Sequence, residues 1–183
     1  MCLVIDSPNI LVAENDIICY KIFKVNPKIG KLNTYFQHFQ MNWDQVYTIL
    51  RSNRPLYRRI YRGYVVDKGY FHSFKEDDAF NYCLLVCYYY FANQLSGIPI
   101  IAKCIIPKNT KYYIGKYKGE FDSYASKSII IQKEFYIHEC SVDHLTNVIE
   151  NWKNENIKIT AFNRTVFPNG TTMISYGSIN TKI

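Results

Sequence analysis

Residues 73 to 106 constrain this chain more than any other stretch. Ser73-Phe-Lys-Glu76 has the spacing of a capping box, in which the Ser hydroxyl takes an amide three residues on and the Glu reaches back. The helix it opens is expected to run to about Gln94, before Gly97 and Pro99 stop it. Ala79, Phe80, Cys83, Leu84, Val86, Cys87 and Phe91 make it apolar on nearly every side, which predicts a buried central helix. Ile98 to Ile106 follows as a nearly unbroken apolar strand ended by Pro107. Such a pair needs a sizeable core, and 183 residues with 48% apolar side chains can build one. No repeat, low-complexity stretch or linker interrupts the sequence, so residues 1–183 are expected to form a single domain.

The rest of the chain mixes strands and helices. Ile17 to Val25 reads as a strand, with Asn26-Pro27 and Gly30 ending it. Asn42 can cap a short helix in which Val46, Tyr47 and Leu50 recur at helical spacing, closed by Pro55. Arg59 to Val66, Gly69 to Phe74 and Ser128 to Ile137 read as extended. Ser141 is the expected cap of an amphipathic helix carrying Val142, Leu145, Val148, Ile149 and Trp152 on one face. Ile157 to Phe167 and Thr171 to Tyr176 flank Pro168-Asn169-Gly170, a hairpin signal. The expected class is α+β: a mixed, largely antiparallel sheet with a buried central helix, a second amphipathic helix and a C-terminal hairpin.

The first residues, MCLVIDSPN, have no basic region or long apolar run, so no secretory signal is expected. The longest apolar segment, Cys83 to Ala92, is too short for a bilayer, so no membrane partner is expected. Of six cysteines, Cys19, Cys83, Cys87 and Cys104 sit inside apolar runs and no CxxC occurs. Reduced thiols in the cytoplasm of a bacterial host are the expectation, with no metal site.

A net charge of +7 favours an anionic partner. Five of the six arginines lie between Arg51 and Arg62, although lysine is the commoner base elsewhere. Guanidinium grips phosphate bidentately and stacks on flat rings, and interleaved tyrosines can stack a base. Arg54, Tyr57, Arg58, Arg59, Tyr61 and Arg62 are therefore candidate ligand-binding residues. A solvated basic face, or ion pairs with Glu76, Asp77 and Asp78, explains the same residues without a ligand. Lys108 to Gly119 is a second basic and aromatic stretch, from which Lys111 and Tyr113 are candidates. His72, at a strand end beside a helix start, joins them, although a structural histidine suits that place equally. No His pair has metal-site spacing, and no Walker loop, dinucleotide fingerprint or nucleophile elbow occurs.

Cys19-Tyr-Lys-Ile-Phe, Gly69-Tyr-Phe-His-Ser-Phe, Lys103-Cys-Ile-Ile-Pro-Lys-Asn-Thr and Tyr124-Ala-Ser-Lys-Ser-Ile-Ile-Ile occur in that order. Together, over residues 1 to 134, they resemble small proteins of gut Bacteroidetes and their phages. The same order is similar to the ADP-ribosyltransferase fold, with Tyr20-Lys21 in its Arg/His place, Ser73 in its Ser place and Pro107-Lys-Asn-Thr110 in its proline turn. Ser126-Lys127-Ser128 stands where that family has Glu-x-Glu, so its stabilising carboxylate would have to come from Glu134. The resemblance implies NAD as cofactor and Lys21, Ser73 and Glu134 as the catalytic set.

These observations lead to a non-enzymatic, phage-type accessory protein without a cofactor. It would hold an anionic, nucleotide-like small molecule and antagonise host defence by sequestering a nucleotide signal. The alternatives are an NAD-using ADP-ribosyltransferase-like enzyme and a basic module that binds nucleic acid or protein. The sequence leaves the oligomeric state open.

Overall fold

A computed structural model describes residues 3–5, 9–34, 40–49, 57–60, 63–66, 69–93, 97–169 and 171–179. Among them lie β1 (Leu3–Ile5), β2 (Leu11–Val12), β3 (Ile17–Val25), β4 (Leu32–Thr34), β5 (Gln40–Met41) and β6 (Val46–Thr48). Next come β7 (Tyr57–Ile60), β8 (Gly63–Val66), β9 (Phe71–Phe74), α1 (Glu76–Asn93), β10 (Ile98–Ile106) and β11 (Lys111–Tyr117). β12 (Phe121–Ser126), β13 (Ser128–His138), α2 (Glu139–Val142), a 3-10 turn (Asp143–Leu145), α3 (Thr146–Asn154), β14 (Lys158–Val166) and β15 (Thr172–Ser178) complete the order. Strands and helices mix as the α+β class requires. The chain forms two compact units, each assembled from three separate segments.

Unit 1 holds Met1–Lys21, Trp43–Ala79 and Lys103–Gln132. Its strand order is β7-β8-β1-β11-β12-β9-β3, with β2 on β11 and β6 on β13. Pairings of known register are antiparallel: Leu3 faces Val66 and Tyr117, Tyr124 faces Ser73, and Tyr20 faces Phe74. Leu3, Ile5, Val66, Tyr70, Tyr113 and Ala125 form one buried cluster there. β11 can lie so close to β1 because position 115 has no side chain. A Cβ on Gly115 would run into the Val4 carbonyl oxygen.

Unit 2 holds Ile22–Asn42, Phe80–Ala102 and Lys133–Ile183. β13 and β14 run parallel, from Glu134 facing Lys158 to His138 facing Phe162. A parallel pair needs a crossover, and α2, the 3-10 turn and α3 supply it. α3 buries Val148, Ile149 and Trp152, the last packed 5.0 Å from Phe135. β14 and β15 form the expected hairpin. Phe80 of α1 is fully buried and meets Phe162, Tyr136 and Tyr176 edge-on at 4.9, 5.2 and 5.5 Å.

Four local expectations change. The Asn42 helix is absent: Val46–Thr48 is strand β6, whose partners Ser128 to Ile130 lie some eighty residues away in sequence, so long-range pairing overrides helical spacing. Ser73 does not cap α1. It sits in β9, fully buried, and Lys75 precedes the first helical residue. Ser141 is likewise buried, and the cap of α2 is the His138 side chain. Finally, α1 is not buried all round. It buries Ala79, Phe80, Tyr82, Cys83, Val86 and Cys87, while Tyr88, Tyr89 and Phe91 are exposed. Phe91 therefore leaves the predicted core.

Candidate anion-binding cleft

β10 ends at Ile106 because Pro107 cannot donate to a ladder, and the chain reverses over Pro107-Lys108-Asn109-Thr110. The Thr110 amide donates to the Pro107 carbonyl at 3.1 Å, and Asn109 takes φ +65°, a conformation Asn tolerates better than most residues. The Lys108 amide donates to Asp16 Oδ1 at 2.8 Å and the Asn109 amide to the Ala13 carbonyl at 2.7 Å. Every amide of the turn is thus engaged by the protein. Whatever binds here meets side chains rather than a backbone nest.

Those side chains are cationic. A cleft of about 420 Å³ is lined by Val46, Pro107, Lys108, Asn109, Thr110, Lys111, Lys127 and Ser128. Among the described residues that line it, three of eight are lysines and none is Asp or Glu. The Lys127 amide donates to the Lys111 carbonyl at 3.0 Å, which ties the start of β11 to the β12–β13 junction. Lys127 Nζ stands 4.4 Å from the centroid of the Tyr70 ring, a cation–π distance, and burial lowers its pKa. Lys108 and Lys111 are exposed. Clefts of this size hold small ligands, and a lining with three lysines and no carboxylate among the described residues favours an anion.

The sequence candidates fall in several places. Lys111 lines the cleft. Tyr113, two residues along β11, is buried in the unit 1 core with its ring edge-on to Tyr70 at 5.4 Å. Arg54, Tyr61 and Arg62 lie outside the described residues. Tyr57, Arg58 and Arg59 are described as backbone of β7, paired to Val66, Val65 and Tyr64, and their side chains lie outside the description. Lys127 was missed. It stood in Ser126-Lys-Ser128, and only its proximity to the Pro107 turn gives it a role.

Lys21, His72 and Ser73 do come together, as part of the interior of unit 1. Lys21 Nζ donates to the His72 carbonyl at 2.7 Å. Burial lowers the Lys21 pKa, opposed by the neighbouring Cys104 and Cys19. Burial and the Lys21 charge push His72 down to about 3, so its ring is neutral. Burial lifts the Cys19 thiol to about 12, although Ser73 and Lys21 act to lower it. The Ser73 hydroxyl has no well-formed hydrogen bond among the described residues beyond this proximity to Cys19. Glu134, in unit 2, accepts Tyr136 Oη at 2.7 Å and Lys158 Nζ at 2.9 Å.

Among the described residues no His, Cys, Asp and Glu cluster could hold a metal ion, and no helix is long and apolar enough to cross a membrane. No family model matches the chain, and neither curated proteins nor solved structures give a significant match.

Proposed function

We propose that the protein binds a small anionic, nucleotide-like molecule in the Lys108–Lys111–Lys127 cleft and holds it without turning it over. The observation that carries this reading is three lysines lining one cleft that no Asp or Glu among the described residues lines. Among the described residues no thiol or imidazole lines the cleft either, which favours retention over chemistry. Sequestering a nucleotide signal against host defence suits such a binder and the phage resemblance. The ADP-ribosyltransferase-like reading is less favoured, because Lys21 and Ser73 are buried and Glu134 is engaged by Lys158 and Tyr136.

The test is calorimetry of the parent and of a Lys108→Gln, Lys111→Gln, Lys127→Gln triple variant. The panel is pyrophosphate, linear and cyclic nucleotides, NAD and ADP-ribose, at two salt concentrations. At about 1–1.5 kcal/mol per contact in so open a cleft, losing three lowers affinity at least roughly a hundredfold. An Arg58→Lys, Arg62→Lys variant then binds as the parent does. If that variant loses binding and the lysine variant keeps it, the arginine segment is the grip instead. No binding by the parent sinks the proposal, and binding of oligonucleotides alone, with a steep salt dependence, moves it to a nucleic-acid surface.

A further inference from the structure

The end of β13 places a second chemistry on unit 2. His138 is the N-cap of α2, with φ −63° and ψ 137°. Its Nδ1 accepts the Cys140 amide at 3.4 Å and stands 2.6 Å from Cys140 Sγ. A backbone amide can only donate, so Nδ1 must carry the lone pair and Nε2 the ring proton. The thiol can then donate its own hydrogen to that same lone pair. Burial lowers the His138 pKa and raises that of Cys140, so the pair rests as neutral imidazole and protonated thiol. Glu139, held by the Asn163 side-chain amide at 2.7 Å, acts to raise the His138 pKa and so favours imidazolium once a proton arrives.

Among the described residues Cys140 is also the exposed thiol: Cys19, Cys83, Cys87 and Cys104 are all buried. With His138 it lines a cleft of about 360 Å³ completed by Leu84, Cys87, Tyr88, Phe91 and Ala92 of α1. Among the described residues no formally charged one lines this cleft. It offers little to a phosphate and a continuous apolar wall to an alkyl chain, at a size that small ligands occupy.

We propose that Cys140 is an acyl-accepting nucleophile, with His138 as its base and the α1 cleft as the seat for the apolar chain of a thioester. Sγ attacks the thioester carbonyl carbon as its proton passes to Nδ1. The tetrahedral adduct then expels the original sulfur, and the imidazolium returns the proton to the departing thiolate. One carbon–sulfur bond forms and one breaks, leaving an acyl thioester on Cys140 and a free thiol. No oxidant or reductant is consumed. A base that both takes and returns a proton fits this exchange, and the apolar wall selects chain over headgroup.

The test incubates the full-length protein with the octanoyl and acetyl thioesters of N-acetylcysteamine and follows intact mass and peptide maps. One octanoyl group is expected on Cys140, arriving faster than acetyl, and none on Cys140→Ser. His138→Asn keeps a good N-cap acceptor for the Cys140 amide but removes the base, so it slows acylation by roughly a hundredfold or more. Tyr88→Ser, at an exposed position, lowers the octanoyl-to-acetyl rate ratio by roughly tenfold. Failure of the parent to acylate, adducts spread over several cysteines, or equal rates for the two thioesters would overturn the proposal. So would a His138→Asn rate equal to that of the parent.

Discussion

The two clefts are close in size, about 420 Å³ in unit 1 and 360 Å³ in unit 2, and opposite in chemistry. The first is set by a turn whose amides are used internally, so its character comes from three lysine side chains. The second is set by a helix that buries one apolar face and leaves aromatic residues on the other. Lys108 and Lys111 are exposed to water, whereas Lys21, inside β3, bears the cost of burial and is held by the His72 carbonyl. Volume alone therefore says little about ligand class. The backbone setting of each side chain decides it.

The largest expected effect separates the units by pH. His72 in unit 1 falls from an ordinary 6.5 to about 3 in the folded protein. The unfolded chain thus binds a proton that the folded one refuses, so the contribution is whole above pH 6.5 and lost as pH falls toward 3. The loss amounts to roughly 4 kcal/mol by the low end of that window. His138 in unit 2 is lowered too, from a half-buried position, and shifts stability in the same direction. Hydrogen exchange on acidification should therefore expose β9 and β12 peptides before β14 and β15 peptides. His72→Gln should flatten the trend, and simultaneous loss in both sets would end the distinction.

Next in size is the contrast between two phenylalanines on α1. Phe80→Ala removes a fully buried ring with three edge-on partners and should cost about 3–5 kcal/mol in urea unfolding. Phe91 is 40% exposed, and Phe91→Ala should cost less than about 1.5 kcal/mol. Equal costs would mean that the outer face of α1 is packed rather than open, and the acyl cleft would lose its wall.

The two faces of α1 also mark how far the sequence could be read. β3 and β10 have the bounds their apolar runs implied, because a strand buried on both faces needs only composition to be seen. α1 was legible as a helix but not as a one-sided one, since tyrosines and Phe91 cover its outer face as apolarly as its inner face. β6 was hidden because its partners are Ser128 to Ile130, and no local period reports a pairing that distant. Lys111 was legible from a lysine-rich turn. Tyr113 was not, because the alternation of β11 sends every second side chain into the core. Lys127 and the His138–Cys140 pair depend on neighbours brought by folding, although His-Glu-Cys at a strand end was there to be noticed.

The smallest effect tests what a lysine without a carboxylate is for. Lys75 and Lys116 both bond Asp122, each at 2.9 Å, on the exposed surface of unit 1. These bonds lower the Asp122 pKa from 3.8, so its contribution is present above that value and fades as pH drops through the lower folded value. Asp122→Asn should cost less than about 1 kcal/mol, and less still in high salt, because the pairs are solvated and screened. Among the described residues no carboxylate lines the cleft of Lys111, so Lys111→Gln should cost no stability and, by relieving repulsion among the three cations, raise the unfolding midpoint slightly at low salt. A loss for Lys111→Gln as large as that for Asp122→Asn would make Lys111 a structural cation, and the anion cleft would lose the feature that argues for a ligand.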